Sequence, residues 1–185
     1  NVFKILYVSN IFPYKNLDKV IDAFELLIKS FPNIQLDIIG EFYRYSDKIK
    51  YLKRCSNSNI SSSINFLGSI SHDKIPGYYK ESDLFVFSSS CENMPNILIE
   101  AMSSGIPILC SSKQPMPEFA QDSVIYYDPK SVIDLLDKFV LLISDSNLRN
   151  IISDKSYKYS FKYSWDKCSF ETFNFITEII TKNKK

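Results

Sequence analysis

Apolar residues recur along this chain in two periods, and the switch between them marks alternating strands and helices. Phe3–Val8 is a short run of strand formers, followed by a polar turn that holds Pro13. Leu17, Val20, Ile21, Phe24, Leu27, Ile28 and Phe31 then recur at spacings of three and four, which predicts an amphipathic helix stopped by Pro32 and Asn33. Ile34–Ile39 reads as a second strand ending at Gly40. Residues 47–57 read as a polar helix, 56–63 as a loop and 64–67, with Gly68, as a third strand. Residues 71–81 predict a short helix, with Ser71 as its N-cap and Asp73 near its positive end. Leu84–Phe87 is apolar without interruption, as in a parallel strand buried on both faces. A helix over 97–104 closes at Gly105, strands follow at 107–110 and 124–127, and helices cover 132–143, 148–160 and 165–180.

Six short strands separated by helices predict an α/β fold, a doubly wound parallel sheet with helices on both faces and right-handed crossovers. No internal repeat, low-complexity tract or linker interrupts the pattern, and 185 residues suit one domain, with terminal helices over about 147–182. The chain opens on Asn1 rather than Met and is strand-like by Phe3, which suggests a piece of a longer protein.

Composition narrows the function classes. An apolar fraction of 45% and a charged fraction of 23% exclude a disordered or fibrous chain. A net charge of +1 gives no overall electrostatic case for a nucleic-acid partner. Cys55, Cys91, Cys110 and Cys168 form no C-x-x-C pair and predict buried, reduced thiols of a cytoplasmic protein. No apolar run reaches the roughly 18 residues of a membrane span, which predicts a soluble piece. His72 is the sole histidine, so a histidine-rich metal site is excluded; it is expected as a loop or helix-start residue.

Sheets of this kind bind ligands beyond the carboxyl ends of their strands, where strand order reverses. That directs attention to loops 9–16, 40–44 and 88–96. With 4 glycines and no G-x-G-x-x-G, a nicotinamide or flavin site is disfavoured. A phosphate-binding P-loop, a G-x-S-x-G nucleophile elbow and the metal-binding Asp-x-Asp are likewise missing. What remains is 88–105, SSSCENMPNILIEAMSSG, where Glu92 precedes a helix and Glu100 lies inside it. Eight helical residues rise about 12 Å and turn about 800°, so the two carboxylates would flank a helix N-terminus suited to phosphate. A nucleotide sugar, with hydroxyl-bearing rings on both sides of a diphosphate, has that layout. The apolar neighbours of Glu100 predict a largely buried carboxylate, which must be paired.

The run FLGSISHDKIPGYYKESDLFVFSSSCENMPNILIEAMSSGIPIL, residues 66–109, resembles the donor-binding core of retaining GT-B glycosyltransferases of the group 1 family, also called glycosyltransferase family 4-like. The hallmark of two glutamates separated by seven residues is matched by Glu92 and Glu100, and E-A-M-x-x-G-x-P by residues 100–107. ILYVSNIFPYKNLDKVIDAF resembles the family's first strand, phosphate loop and helix, and YSWDKCSFETFNFITEI its terminal helix. The resemblance implies a Rossmann-like domain, the C-terminal half of a GT-B fold, whose acceptor-binding N-terminal domain lies outside this chain. It implies a UDP-sugar or related nucleotide-diphosphate sugar as donor, transfer with retention, and neither a cofactor nor a metal.

The same resemblance implies residue roles. Glu92 would hold hydroxyls of the transferred sugar, Glu100 the ribose hydroxyls, and Lys15 the departing diphosphate. Main-chain N–H groups of Met94, Asn96 and Ile97 would complete the phosphate cradle, with Asn93 beside them, and Ser69 and Ile70 would border the base. Asn10 stands where many members carry arginine, so Lys15 would bear more of the charge. From Arg149 onward eight basic residues face four acidic ones, a local +4 that suits either a solvated helix with a frayed tail or contact with anionic lipid on the inner membrane face. The implied acceptor is a glycan or a lipid-linked sugar, in surface polysaccharide or glycoconjugate synthesis. A sugar-nucleotide epimerase of the same architecture, or a non-catalytic nucleotide-binding module, would fit the same residues.

Overall fold

The computed structural model describes residues 2–182. Six strands form one parallel sheet: β1 (Phe3–Val8), β2 (Ile34–Ile39), β3 (Ile64–Gly68), β4 (Leu84–Phe87), β5 (Ile108–Ser111) and β6 (Ile125–Tyr127). Their order in space is β3-β2-β1-β4-β5-β6. The chain therefore winds outward from β1 in one direction and from β4 in the other, and the reversal falls between these two central strands. They pair in parallel, Ile5 beside Leu84 and Leu6 beside Phe85.

Eight helices accompany the sheet among the described residues: α1 (Leu17–Leu27), α2 (Tyr45–Ser56), α3 (Ile75–Glu81), α4 (Asn96–Ser104), α5 (Met116–Ala120), α6 (Val132–Ser144), α7 (Ser146–Ser160) and α8 (Trp165–Lys182). The two-residue period of β1 sorts its side chains between two cores. Ile5 and Tyr7 face Val20, Phe24 and Leu27 of α1 and Leu135, Phe139 and Leu142 of α6. Leu6 faces the other way, into a cluster with Tyr79 of α3 and Leu98, Ala101 and Met102 of α4. Each fully buried apolar side chain stabilises the fold by about 1.5–3 kcal/mol, and a sheet covered on both sides needs apolar strands throughout. That is why β4 and β5 are buried at every position.

The predicted α/β fold is the observed one, and several boundaries differ for local reasons. The first helix ends at Leu27 rather than Phe31. Phe31 precedes Pro32, whose ring disfavours helical geometry in the residue before it, so the last turn loosens. The segment 71–81 is split into a 3-10 turn, His72–Lys74, and α3. Pro76 has no N–H to give to the His72 carbonyl, so the α-helix begins around it. Ser71 makes no side-chain cap there. Helix α5 follows Pro115 and escaped the periodicity because it is only one turn long. Gly105 does close α4 in the left-handed conformation, φ 73°. All four cysteines are free, but only Cys55 and Cys110 are buried; Cys91 and Cys168 lie on the surface, which corrects the expectation for those two.

Helix α8 stands apart from the body, and none of its described residues is buried. Lys167 and Lys182 sit beside Glu171 and Glu178, one helical turn away, but those acids already enter the +4 balance; only the pair of Lys155 with Asp122 offsets the excess. Lys184 and Lys185, which enter the +4 count, lie outside the described residues. Among the described residues no helix is long and apolar enough to cross a membrane.

Candidate functional site

The loops that follow β1 and β4 meet at the point where strand order reverses, and a set of hydrogen bonds fastens them together. After Val8 the chain passes through Ser9 to the 3-10 turn Pro13–Lys15 and leaves it at Asn16, in the left-handed conformation, φ 51°. Asn16 tolerates this because its short polar side chain bonds locally. Its Nδ2 donates to the carbonyl of Ser88, at 2.7 Å. Ser88 returns the contact, its Oγ donating to the Lys15 carbonyl at 2.5 Å. The Ser90 N–H donates to the Tyr14 carbonyl at 2.9 Å. Beneath them the hydroxyl of buried Tyr7 points at the Lys15 carbonyl, 3.3 Å away, and burial pushes its ionisation far above the ordinary tyrosine range.

This stapling brings Lys15 and Glu92 into an ion pair across 77 residues of sequence. Their side chains are 10% and 14% exposed. A pair so shielded must satisfy itself, because an isolated charge at this depth is strongly disfavoured. Lys15 Nζ also lies 5.4 Å from the centre of the Tyr14 ring and 6.0 Å from that of Phe87.

A second region begins one helical turn and more away. Asn10, Ser69, Ile70, Ile97 and Glu100 line one cleft of about 260 Å³, floored by Gly40. Gly40 is required: at φ +136° its backbone runs so close under Ser9 that an added Cβ would lie 1.9 Å from the Ser9 carbonyl oxygen. Glu41 closes one side by accepting the Ser69 N–H at 3.1 Å. Asn10 Oδ1 in turn lies 3.4 Å from the Glu41 N–H. Met94, Asn96 and Glu100 border a larger adjoining hollow, about 590 Å³, between α4 and the start of α8.

The sequence-predicted residues thus fall into groups. Lys15 and Glu92 touch. Asn10, Ser69, Ile70, Ile97 and Glu100 share a cleft beside them. Met94 and Asn96 border the neighbouring hollow, and the Asn96 N–H is already taken by the Met94 carbonyl at 2.9 Å. Asn93 is exposed in the loop between the two glutamates.

Glu100 departs from expectation. Helical periodicity turns Leu98, Ala101 and Met102 into the core and leaves Glu100 at the cleft edge, 37% exposed, so burial does not force its pairing. Its partner is His72, whose Nε2 lies 3.3 Å from Oε1. His72 is the expected helix-start residue, but it also borders both cavities, a placement that sequence reasoning missed. The only prior signal was that the chain's single histidine falls in the loop after β3, on the ligand side of the sheet. Among the described residues, no three His, Cys, Asp or Glu side chains converge as metal ligands.

Strand order, loop stapling and a shielded acid–base pair at the reversal define a Rossmann-like, doubly wound α/β domain with its site at the centre of the sheet. The comparisons with known proteins give this class its family. The family model described as "Glycosyl transferases group 1" matches residues 1–159, and the chain belongs to that family. O-antigen chain mannosyltransferase B of Escherichia coli is 25% identical over 91% of this chain and 44% of its own length. Among solved structures, the C-terminal domain of a glycosyl transferase group 1 family protein (LpcC) from Francisella tularensis is 26% identical and superposes with a TM-score of 0.78, covering 86% of this chain and 85% of that one. Anabaena Alr3699/HepE in complex with UDP shares the fold at a TM-score of 0.86 and 18% identity, over 96% of this chain and 49% of its own. The chain spans about half the length of the curated relatives it matches over most of its residues.

Proposed function

We propose that this chain is the donor-binding domain of a GT-B glycosyltransferase that moves a sugar from a nucleotide-diphosphate sugar, a UDP-sugar foremost, to a glycan or lipid-linked acceptor. The observation that carries the reading is the Lys15–Glu92 pair at the sheet reversal of a family member. A diphosphate approaching Lys15 competes with the Glu92 carboxylate for the ammonium, and each group it frees acquires a task. Lys15 stabilises the negative charge that grows on the diphosphate as the bond from the sugar's anomeric carbon to the phosphate oxygen breaks. Such charge stabilisation is usually the largest catalytic term. Glu92 accepts hydrogen bonds from the sugar hydroxyls and holds the anomeric carbon toward the acceptor oxygen, whose proton passes to the departing diphosphate oxygen as the new bond forms. Glu100 accepts from the ribose hydroxyls, and the Ser69–Ile70 backbone borders the base. In this reading the new bond forms on the face the diphosphate leaves, giving retention, and no metal takes part. A second domain of the whole protein holds the main part of the acceptor.

Calorimetric titration with UDP, GDP and ADP tests the donor site in this chain alone: UDP binds, and Glu100→Ala weakens it. No binding by any of the three overturns the donor assignment. In the whole protein, sugar transfer that survives Lys15→Ala and Glu92→Ala would make the domain a non-catalytic module instead, and epimerised UDP-N-acetylglucosamine among the products would mark an epimerase.

A further inference from the structure

Beyond the ends of β1 and β2 the backbone continues as a short parallel ladder. The Ile11 N–H donates to the Glu41 carbonyl at 2.8 Å, and the Tyr43 N–H donates to the Ile11 carbonyl at 3.3 Å. Ile11 and Phe42 form the bridge between the two loops. Alternation then turns Ile11 into the core, and Phe42 packs against Tyr51 and Phe66. The next residues, Phe12 and Tyr43, are left side by side, with ring centres 4.8 Å apart. Tyr14 stacks on Phe12, with ring centres 5.5 Å apart and 15° between ring planes.

The result is a row of three rings on the protein surface, with Tyr43 65% exposed and Tyr14 adjoining the Lys15 ammonium. A clustered apolar patch facing water is unfavourable and marks an interaction surface. None of the three rings lines the cleft assigned to the nucleotide. Tyr14 adjoins Lys15, whose ion-pair partner Glu92 would hold the transferred sugar. Arg44, which follows Tyr43 in the chain, is exposed.

We propose that Phe12, Tyr14 and Tyr43 form a platform for a pyranose ring of the acceptor. This rests on the donor-site reading above for its place in the reaction. A pyranose has one face of C–H bonds and a rim of hydroxyls. Flat aromatic faces match the C–H side, while the tyrosine hydroxyls and Arg44 match the rim. Rigid tyrosine rings also give large contact area at low entropic cost. A nucleobase would also stack here, but the rings stand outside the cleft where Ser69 and Ile70 would border it. The Tyr14 ring against Lys15, the partner of the glutamate that would hold the sugar, favours a saccharide.

Saturation-transfer NMR on the 185-residue chain tests this with methyl α-D-mannopyranoside, methyl α-D-glucopyranoside and the methyl β-glycoside of N-acetylglucosamine, each with and without saturating UDP. The expected result is transfer to the ring C–H protons of at least one glycoside, undiminished by UDP. Tyr43→Leu or Phe12→Leu, which keep apolar bulk but remove a ring face, should weaken that glycoside by about five-fold, and Tyr43→Phe should not. UDP affinity, measured by calorimetry on the same samples, should stay unchanged in Tyr43→Leu. The proposal is overturned by no transfer from any glycoside, by transfer indifferent to both leucine variants, or by displacement with UDP. It is also overturned if the leucine variants lose UDP, which would give the rings to the base. Failure of the unmodified chain to bind UDP would count against the donor reading, and ring-dependent glycoside contact would still support a saccharide platform.

Discussion

The two glutamates of this site stand eight positions apart in sequence, yet they live in different physical settings. Glu92 lies in a loop clamped to the loop after β1 by Asn16, Ser88 and Ser90, and it is shielded against Lys15. Glu100 rides on a regular helix, at a cleft edge, facing an exposed histidine. The first is held by many mutually dependent contacts and the second by one contact in water. The rigid end suits a charge that must be in place when a bond breaks. The open end suits recognition of a ligand that enters and leaves.

That contrast can be broken at its strongest point first. Gly40→Ala should cost at least about 3 kcal/mol, because a Cβ would collide with the Ser9 carbonyl at a φ that side chains rarely adopt. Urea unfolding measures it, and a loss below 1 kcal/mol would show that the loop after β1 is not fixed from below. Lys15→Ala in the whole protein should lower turnover by on the order of 10²-fold, measured in a sugar-transfer assay, if the shielded pair carries the chemistry.

Ser88→Ala should destabilise the chain by about 2 kcal/mol, since it removes a buried donor to the Lys15 carbonyl. The same region should set an alkaline limit. Burial raises the ionisation of Tyr7 above its unfolded value near 10, so the stability contributed by the neutral ring is complete below about pH 10 and is lost as pH rises toward the folded value. Circular dichroism against pH should show this decline, and Tyr7→Phe should move it upward. The smallest change is expected at the open end. His72→Ala should alter stability by less than about 0.5 kcal/mol, as for other exposed pairs, while weakening UDP binding in calorimetry. A large loss of stability there would erase the distinction between the two ends.

The strands were legible because apolar runs such as Leu84–Phe87 have no other way to be satisfied than burial on both faces. The helices were legible from spacings of three and four, and failures fell where proline overrides periodicity, at Phe31 and at Pro76, and at α5, which is too short to show a period. Glu92, Glu100 and Lys15 stood out through their match to a family pattern. Their surroundings did not. Apolar neighbours along the chain made Glu100 look buried, whereas helical periodicity points Leu98, Ala101 and Met102 into the core and leaves Glu100 at the cleft edge. The role of the Ser88 hydroxyl under Lys15 had no local signature, since serine in a loop commonly meets water.

The sequence by itself determined the alternation of strand and helix, the α/β class and the family, because each depends on residues near one another along the chain or on a motif read in order. Tertiary structure alone decided which charge meets which. Lys15 and Glu92 are 77 positions apart, His72 and Glu100 28, and Ser88 and Lys15 73. Strand order joins the first and last of these by placing β1 beside β4, and the loop after β3 supplies the partner of Glu100. The aromatic row has the same origin: Phe12 and Tyr43 become neighbours because two parallel strands continue their ladder past the sheet. Local propensity acts over a few residues, whereas a site at a strand reversal is assembled by the packing of the whole sheet.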